Sequence, residues 1–179
     1  RIVPSLQLGA NSPASATLKI RNVGPDFFAL AFPAAVAVYV DGVPQAQPGS
    51  VFSTMLDIQR IEVLNGPQGT LYGKNAPAGL ISIFTNNPTM NEFGGYITSS
   101  YSSWDTSNNM AALDIPLVED QLAFRIAGMY ARSDGYMDNA VPGVNEANGK
   151  DHKGYRAKLL WQPTNNMDFL LSYYHANLT

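Results

Sequence analysis

The sequence predicts a small α+β domain followed by antiparallel strands of a transmembrane β-barrel, about five of them and therefore an incomplete barrel. Three observations lead there. The chain changes texture near residue 90: short apolar runs separated by Gly, Pro and Asn give way to longer segments that alternate in character. Connections between the later segments alternate between tight and long, as periplasmic turns and outer loops of membrane barrels do. Composition agrees, because 45% of residues are hydrophobic and only 14% charged, against roughly a quarter charged in ordinary soluble domains.

In the first part, residues 17–23 (TLKIRNV) alternate and read as a strand closed by Gly24-Pro25. Residues 35–40 (AVAVYV) form a β-branched run ended by Asp41-Gly42, a strong turn signal. Ser50 or Ser53 is placed to cap a short helix with Val51, Phe52, Met55, Leu56 and Ile58 on its apolar face. Residues 61–64 (IEVL) give a further strand, stopped by Asn65-Gly66-Pro67. A glycine-rich loop over 69–79 then leads into residues 80–85 (LISIFT), which return to strand before Asn86-Asn87-Pro88.

In the second part, residues 93–104 read as a strand and 105–109 as a connection. Over 110–117, Ala111, Leu113 and Ile115 share one face, and Met110, Ala112 and Asp114 the other. After a short turn at 118–121, Leu122, Phe124, Ile126 and Tyr130 lie opposite Arg125, Ala127, Met129 and Ala131. A polar connection follows over 133–153. Tyr155, Ala157, Leu159 and Trp161 then alternate with Arg156, Lys158, Leu160 and Gln162, and a turn at 163–166 precedes a last strand over 167–176. Aromatic Tyr130, Tyr155 and Trp161 fall toward strand ends, where the girdle of a lipid-facing band would sit. Arg125, Arg156 and Lys158 would then point into a wet interior. Alternation alone fits a soluble meander equally well, with the apolar face packed on a core.

Several function classes drop out. With 0 Cys there is no disulfide framework, thiolate metal site or thiol nucleophile. The net charge of −3 and scattered basic residues give no footprint for nucleic acid. No run approaches the roughly 18 apolar residues that a spanning helix needs, but closed barrels cross membranes without one. Gly73-Lys74 is followed by Asn75, and Gln68 stands where a phosphate loop needs its first glycine, so nucleotide binding is not expected. His152 and His175 lie far apart in sequence, and neither a metal site nor a cofactor is expected. The first residues, Arg1-Ile2-Val3-Pro4-Ser5, show no charged and then apolar leader. An unclosed barrel in lipid would leave backbone groups unpaired, so the chain is expected to begin mid-gene and to continue beyond Thr179 in the full protein.

Residues 58–88, IQRIEVLNGPQGTLYGKNAPAGLISIFTNNP, resemble the plug-domain signature of TonB-dependent outer-membrane receptors: a strand, a Gly-Pro turn, a Leu-Tyr-Gly loop, small residues and a second strand. VYVDGV at 38–43 and IRNVG at 20–24 resemble two further plug segments in the right order, and VPSLQL at 3–8 resembles the approach to them. The resemblance continues into the later strands. It implies a plug over residues 1–90 and the opening barrel strands over 91–179, in the outer membrane of a Gram-negative bacterium. The loop residues that carry it are Gly66, Pro67, Gly69, Leu71, Tyr72, Gly73, Lys74 and Gly79.

What the resemblance implies about function is import of a scarce ligand, typically a ferric siderophore, powered through the TonB protein, with no covalent chemistry on the ligand. Alternatives within the class are cobalamin, another metal complex or a glycan; outside it, a soluble plug-like interaction module. The family's TonB-binding box is not found in these residues. Family plugs often carry two arginines that meet acidic groups of the barrel wall. Arg21 matches the first, Asn65 stands in place of the second, and Asn22 replaces a glycine common after the first. Asp26, Phe27, Phe28, Phe52 and, in the long outer connection, Tyr136 (with Asp138 and Asn139) are candidate ligand contacts. The phenylalanines can stack on a flat ligand; the weightier alternative is that they fill the plug's own core.

Overall fold

The computed structural model describes residues 6–12, 15–23, 35–45, 55–67, 78–134, 149–164 and 166–178. All regular structure among them is β-strand. The chain divides into two compact units, Arg1–Asn86 and Asn87–Thr179.

In the first unit, β1 (Leu6–Ser12) and β2 (Ser15–Ile20) form an antiparallel pair. A second sheet contains β3 (Val36–Val40), β4 (Val43–Pro44), β5 (Ile58–Asn65) and β6 (Gly79–Thr85), in the order β4-β3-β6-β5. The two central strands, β3 and β6, run parallel and are the two apolar, β-branched runs of the sequence. Burial on both faces explains why they read as continuous rather than alternating. One face packs Val36, Val38, Val40, Ile81 and Ile83 with Leu18 and Ile20 of β2, and the other sets Ala37 and Leu80 against Tyr39 and Leu64. At the β3–β4 hairpin Asp41 and Gly42 have φ of 47° and 81°, the two positive values that a type I′ turn requires.

Two expectations for this unit need correction. The strand expected over 17–23 stops at Ile20, because the next two residues form a turn. The helix expected around 51–58 finds no support in the part that is described. Ser50, Val51, Phe52 and Ser53 lie outside the described residues, but Asp57 has φ of 57° and Ile58 already opens β5. A left-handed residue cannot continue a right-handed helix. Asp57 is held in that turn by bonds to Asn86: its backbone oxygen accepts from the Asn86 amide at 3.0 Å, and its Oδ1 from Asn86 Nδ2 at 2.8 Å.

The second unit is a meander of β7 (Gly94–Ser102), β8 (Thr106–Val118), β9 (Leu122–Ser133), β10 (Lys150–Thr164) and β11 (Met167–Leu178), each antiparallel to its sequence neighbour. The connection expected at 105–109 shortens to a turn, with Thr106 already in β8, and β10 begins at Lys150, inside the expected long connection.

This sheet inverts the usual burial rule. Ala112, Asp114, Ala123, Arg125, Ala127, Arg156 and Lys158 are buried, while Ile97, Leu113, Ile126, Tyr155, Trp161, Phe169, Leu171 and Tyr173 are exposed. Lys158 is only 1% exposed, whereas Ile97 is 85% and Leu171 70% exposed. A water-soluble meander would bury the second set and expose the first.

Candidate functional site

The signature loop is rooted where β5 ends and β6 begins. Asn65 pairs with Gly79 across the two strands. The Gly66 amide donates to the Ala78 oxygen at 3.1 Å, and the Ala78 amide donates to the Ala35 oxygen at 2.9 Å. Both ends of the excursion are thereby tied to the sheet at one place. Gly66 has φ of 93° with open space where a side chain would go. Gly79 is more constrained: at φ of 153°, an added Cβ would lie 2.4 Å from the Leu64 oxygen and 2.8 Å from Ile20 Cδ1. Only glycine fits there without backbone movement. Pro67 is exposed beside Gly66. Gly69, Leu71, Tyr72, Gly73 and Lys74 lie outside the described residues, as do the ligand candidates Asp26, Phe27, Phe28, Phe52 and Tyr136.

Arg21 and Asn65, the positions that match the family's two arginines, both lie near this root. Arg21 follows Ile20, whose side chain reaches Gly79, and Gly79 is paired with Asn65. Arg21 and Asn65 are both exposed. Arg21 and Asn22 have φ of 51° and 63°, and Ile20 and Val23 exchange backbone hydrogen bonds at 3.1 and 2.9 Å around them. This is again a type I′ turn, in which asparagine is the best non-glycine substitute at positive φ. Asn22 therefore suits this turn, with Arg21 at its first central position.

Two aspartates whose long-range bonds no local pattern discloses fix the far end of β6. Asp41 Oδ1 accepts from the Thr85 amide at 2.8 Å and its Oδ2 from the Thr85 hydroxyl at 2.6 Å. Asp57 holds Asn86, the last residue of the unit, as described above. Asp41 was legible as a turn residue but not as an acceptor for a residue 44 positions away.

The second unit gathers charge on its buried face. Asp114 of β8 and Arg125 of β9 stand directly opposite each other, and Arg125 Nη1 donates to Asp114 Oδ2. Lys158 of β10 is opposite Arg125 on the other side. Its Nζ donates to Asn87 Oδ1 at 2.8 Å, and the Thr89 amide donates to Asp114 Oδ1 at 3.3 Å. Two residues along β10, the Arg156 guanidinium lies 4.9 Å from the centre of the Tyr174 ring. Buried charge is tolerated only with such partners. Among the described residues, no group of His, Asp and Glu is arranged to hold a metal ion. The arrangement suits a scaffold with a polar inside and an apolar outside.

Comparison with known proteins agrees with this architecture. Residues 1–80 match the family described as the TonB-dependent Receptor Plug Domain. The pesticin receptor of Yersinia pestis is 34% identical over 152 residues, which are 83% of this chain and 22% of that receptor. The crystal structure of the ferric yersiniabactin uptake receptor FyuA from Yersinia pestis superposes with a TM-score of 0.83 at 31% identity, over 98% of this chain and 28% of that one. The pyoverdine outer membrane receptor FpvA from Pseudomonas aeruginosa, at 19% identity, shares the fold with a TM-score of 0.73 over 98% of this chain and 24% of its own. The chain thus spans about a quarter of the length of these relatives. With a plug-domain match over residues 1–80 and receptor likeness over nearly all of its length, the chain belongs to the TonB-dependent receptor family.

Proposed function

We propose that the full protein imports a ferric siderophore across the outer membrane of a Gram-negative bacterium, with residues 1–90 in its plug and 91–179 opening its barrel. The observation that carries this reading is the inverted sheet: aromatic and aliphatic side chains outward, Asp114, Arg125, Arg156 and Lys158 inward. Burying charge while exposing Ile97 and Leu171 is stable when lipid, not water, surrounds the outside. Tyr155 lies toward one end of β10 and Trp161 toward the other, which suits girdles at two interfaces. The likeness to a ferric yersiniabactin uptake receptor, at 31% identity over 98% of this chain, supports a ferric complex of the siderophore kind as the cargo. The family is one of transporters and receptors rather than enzymes, so the ligand passes chemically unchanged.

In this reading TonB supplies the energy from the inner membrane and the plug rearranges to open a path. Asp26, Phe27, Phe28, Phe52 and Tyr136 are the proposed ligand contacts, and Arg21 and Asn65 are the proposed latch positions of the plug.

The test is uptake of radioiron by a receptor-deficient strain expressing the full-length gene. Import of one or more ferric siderophores that needs both TonB and the proton gradient is expected. A product that stays in solution without detergent would overturn the transporter reading. Transport of cobalamin, another metal complex or a glycan in place of siderophores would keep the class and replace the cargo.

A further inference from the structure

Residues 87–93, which precede β7, make more bonds than a simple connection needs. They pass from the buried face of the meander to the exposed β8–β9 turn and are held at three successive points. Asn87 Oδ1 accepts from Lys158 Nζ on β10 at 2.8 Å. The Thr89 amide donates to Asp114 Oδ1 on β8 at 3.3 Å. Asn91 makes a reciprocal pair with the β8–β9 turn, its Nδ2 donating to Asp120 Oδ1 at 2.7 Å and its Oδ1 accepting from the Asp120 amide at 3.2 Å. Pro88, between the first two points, is buried.

The groups that hold the segment are themselves held. Asp114 is fixed by Arg125 across the strand pair. Asp120 sits in a turn at φ of 56°, closed by a 3.1 Å bond from the Gln121 amide to the Val118 oxygen. Lys158 stands in the middle of β10, between β9 and β11. Every attachment is thus made to strands or their tight turn, which are the least mobile parts of a sheet.

We propose that Lys158, Asp114 and Asp120 are positioning residues that keep residues 87–93 fixed on the barrel wall while the plug is remodelled during import. The proposal rests on the transport reading above and deepens it: a pull on the plug would be borne at Asn87, Thr89 and Asn91, leaving the β7 register undisturbed. Hydrogen bonds arranged as three separate points along seven residues resist peeling better than one, because each must break before the next is loaded.

The experiment uses the full-length receptor in its membrane. Asn91→Cys and Asp120→Cys are combined and bridged through the two thiols; residues 1–179 carry no cysteine of their own. Bridged receptor should bind ferric siderophore and import it at least as well as the reduced form, in which the Asn91–Asp120 bonds are gone. Loss of import on bridging, restored by reductant, would overturn the proposal, because the segment would then have to leave the wall. In a second variant, Asn87→Ala with Asn91→Ala, faster amide exchange over 87–93 and lower uptake at unchanged ligand affinity are expected. Unchanged exchange in that variant would also overturn it. If the parent receptor imports nothing, the transport reading fails on its own. Exchange at the Thr89 amide with and without added ligand still tests the anchor: steady protection supports it, and loss of protection with ligand contradicts it.

Discussion

Breaking the Asp114–Arg125 pair should cost far more than its two residues would suggest if each acted alone. The two side chains are 8% and 9% exposed and face each other across β8 and β9. Asp114→Ala leaves the guanidinium buried without the carboxylate it faces, a loss of about 3–5 kcal/mol. It also removes the acceptor of the Thr89 amide, worth about 1 kcal/mol. Arg125→Met leaves a buried carboxylate beside that amide and should cost about 3 kcal/mol. Replacing both at once removes both charges, and the apolar pair should lie within about 1–2 kcal/mol of the parent. The two singles then total about 7–9 kcal/mol, so the coupling in a double-mutant cycle is about 5 kcal/mol or more. Guanidinium unfolding of the full-length receptor in phospholipid vesicles measures all four corners. If the double variant costs the sum of the two singles, within about 0.5 kcal/mol, the pair is not a buried unit and the reasoning fails.

Other outcomes follow from positions in the first unit and on the outer face. Gly79→Ala would drive a methyl into the Leu64 backbone and Ile20 and should cost about 2–4 kcal/mol, seen as early protease cleavage of the plug. Gly66→Ala meets nothing, so only its positive φ is penalised, by about 1 kcal/mol. Asn22→Gly should leave the plug's thermal stability nearly unchanged, while Asn22→Val should lower it by about 1–2 kcal/mol because a β-branched residue resists φ near 60°. Asp41→Ala removes two charge-assisted bonds to Thr85 and should cost about 2 kcal/mol, read as faster amide exchange at the end of β6. Leu171→Arg, on the exposed band of β11, should destabilise the receptor in a bilayer by about 2–4 kcal/mol.

The parts of the fold legible in sequence are those fixed by local chemistry. The runs AVAVYV and LISIFT became β3 and β6 because β-branched side chains suit a strand buried on both faces. Asp41-Gly42 became a hairpin turn because both residues accept positive φ. The short apolar pattern around 51–58 was ambiguous in kind: helical spacing of Met55, Leu56 and Ile58 did not disclose that Asp57 is turned by Asn86, far away in sequence. Likewise, period-two alternation in β9 sorted Arg125 from Ile126 but is blind to which face is inside. Burial decides that, and it places Arg125 within and Ile126 without. Asn86-Asn87-Pro88 read simply as the end of a strand. Its bonds to Asp57 and Lys158 connect residues 29 and 71 positions apart, beyond the reach of any local pattern.

Whether lipid covers the outward side chains can be measured residue by residue along β9. Nitroxide labels placed singly from Leu122 to Ser133 in the full-length receptor report collision with oxygen, which concentrates in lipid, and with a water-soluble nickel chelate. Labels at 124, 126 and 130 should collide with oxygen and be shielded from nickel, while those at 123, 125 and 127 should be shielded from oxygen, giving a period of two. Nickel reaching positions 124 and 126 as readily as it reaches a solvent-exposed loop would mean that water bathes this face, and the membrane assignment would fall.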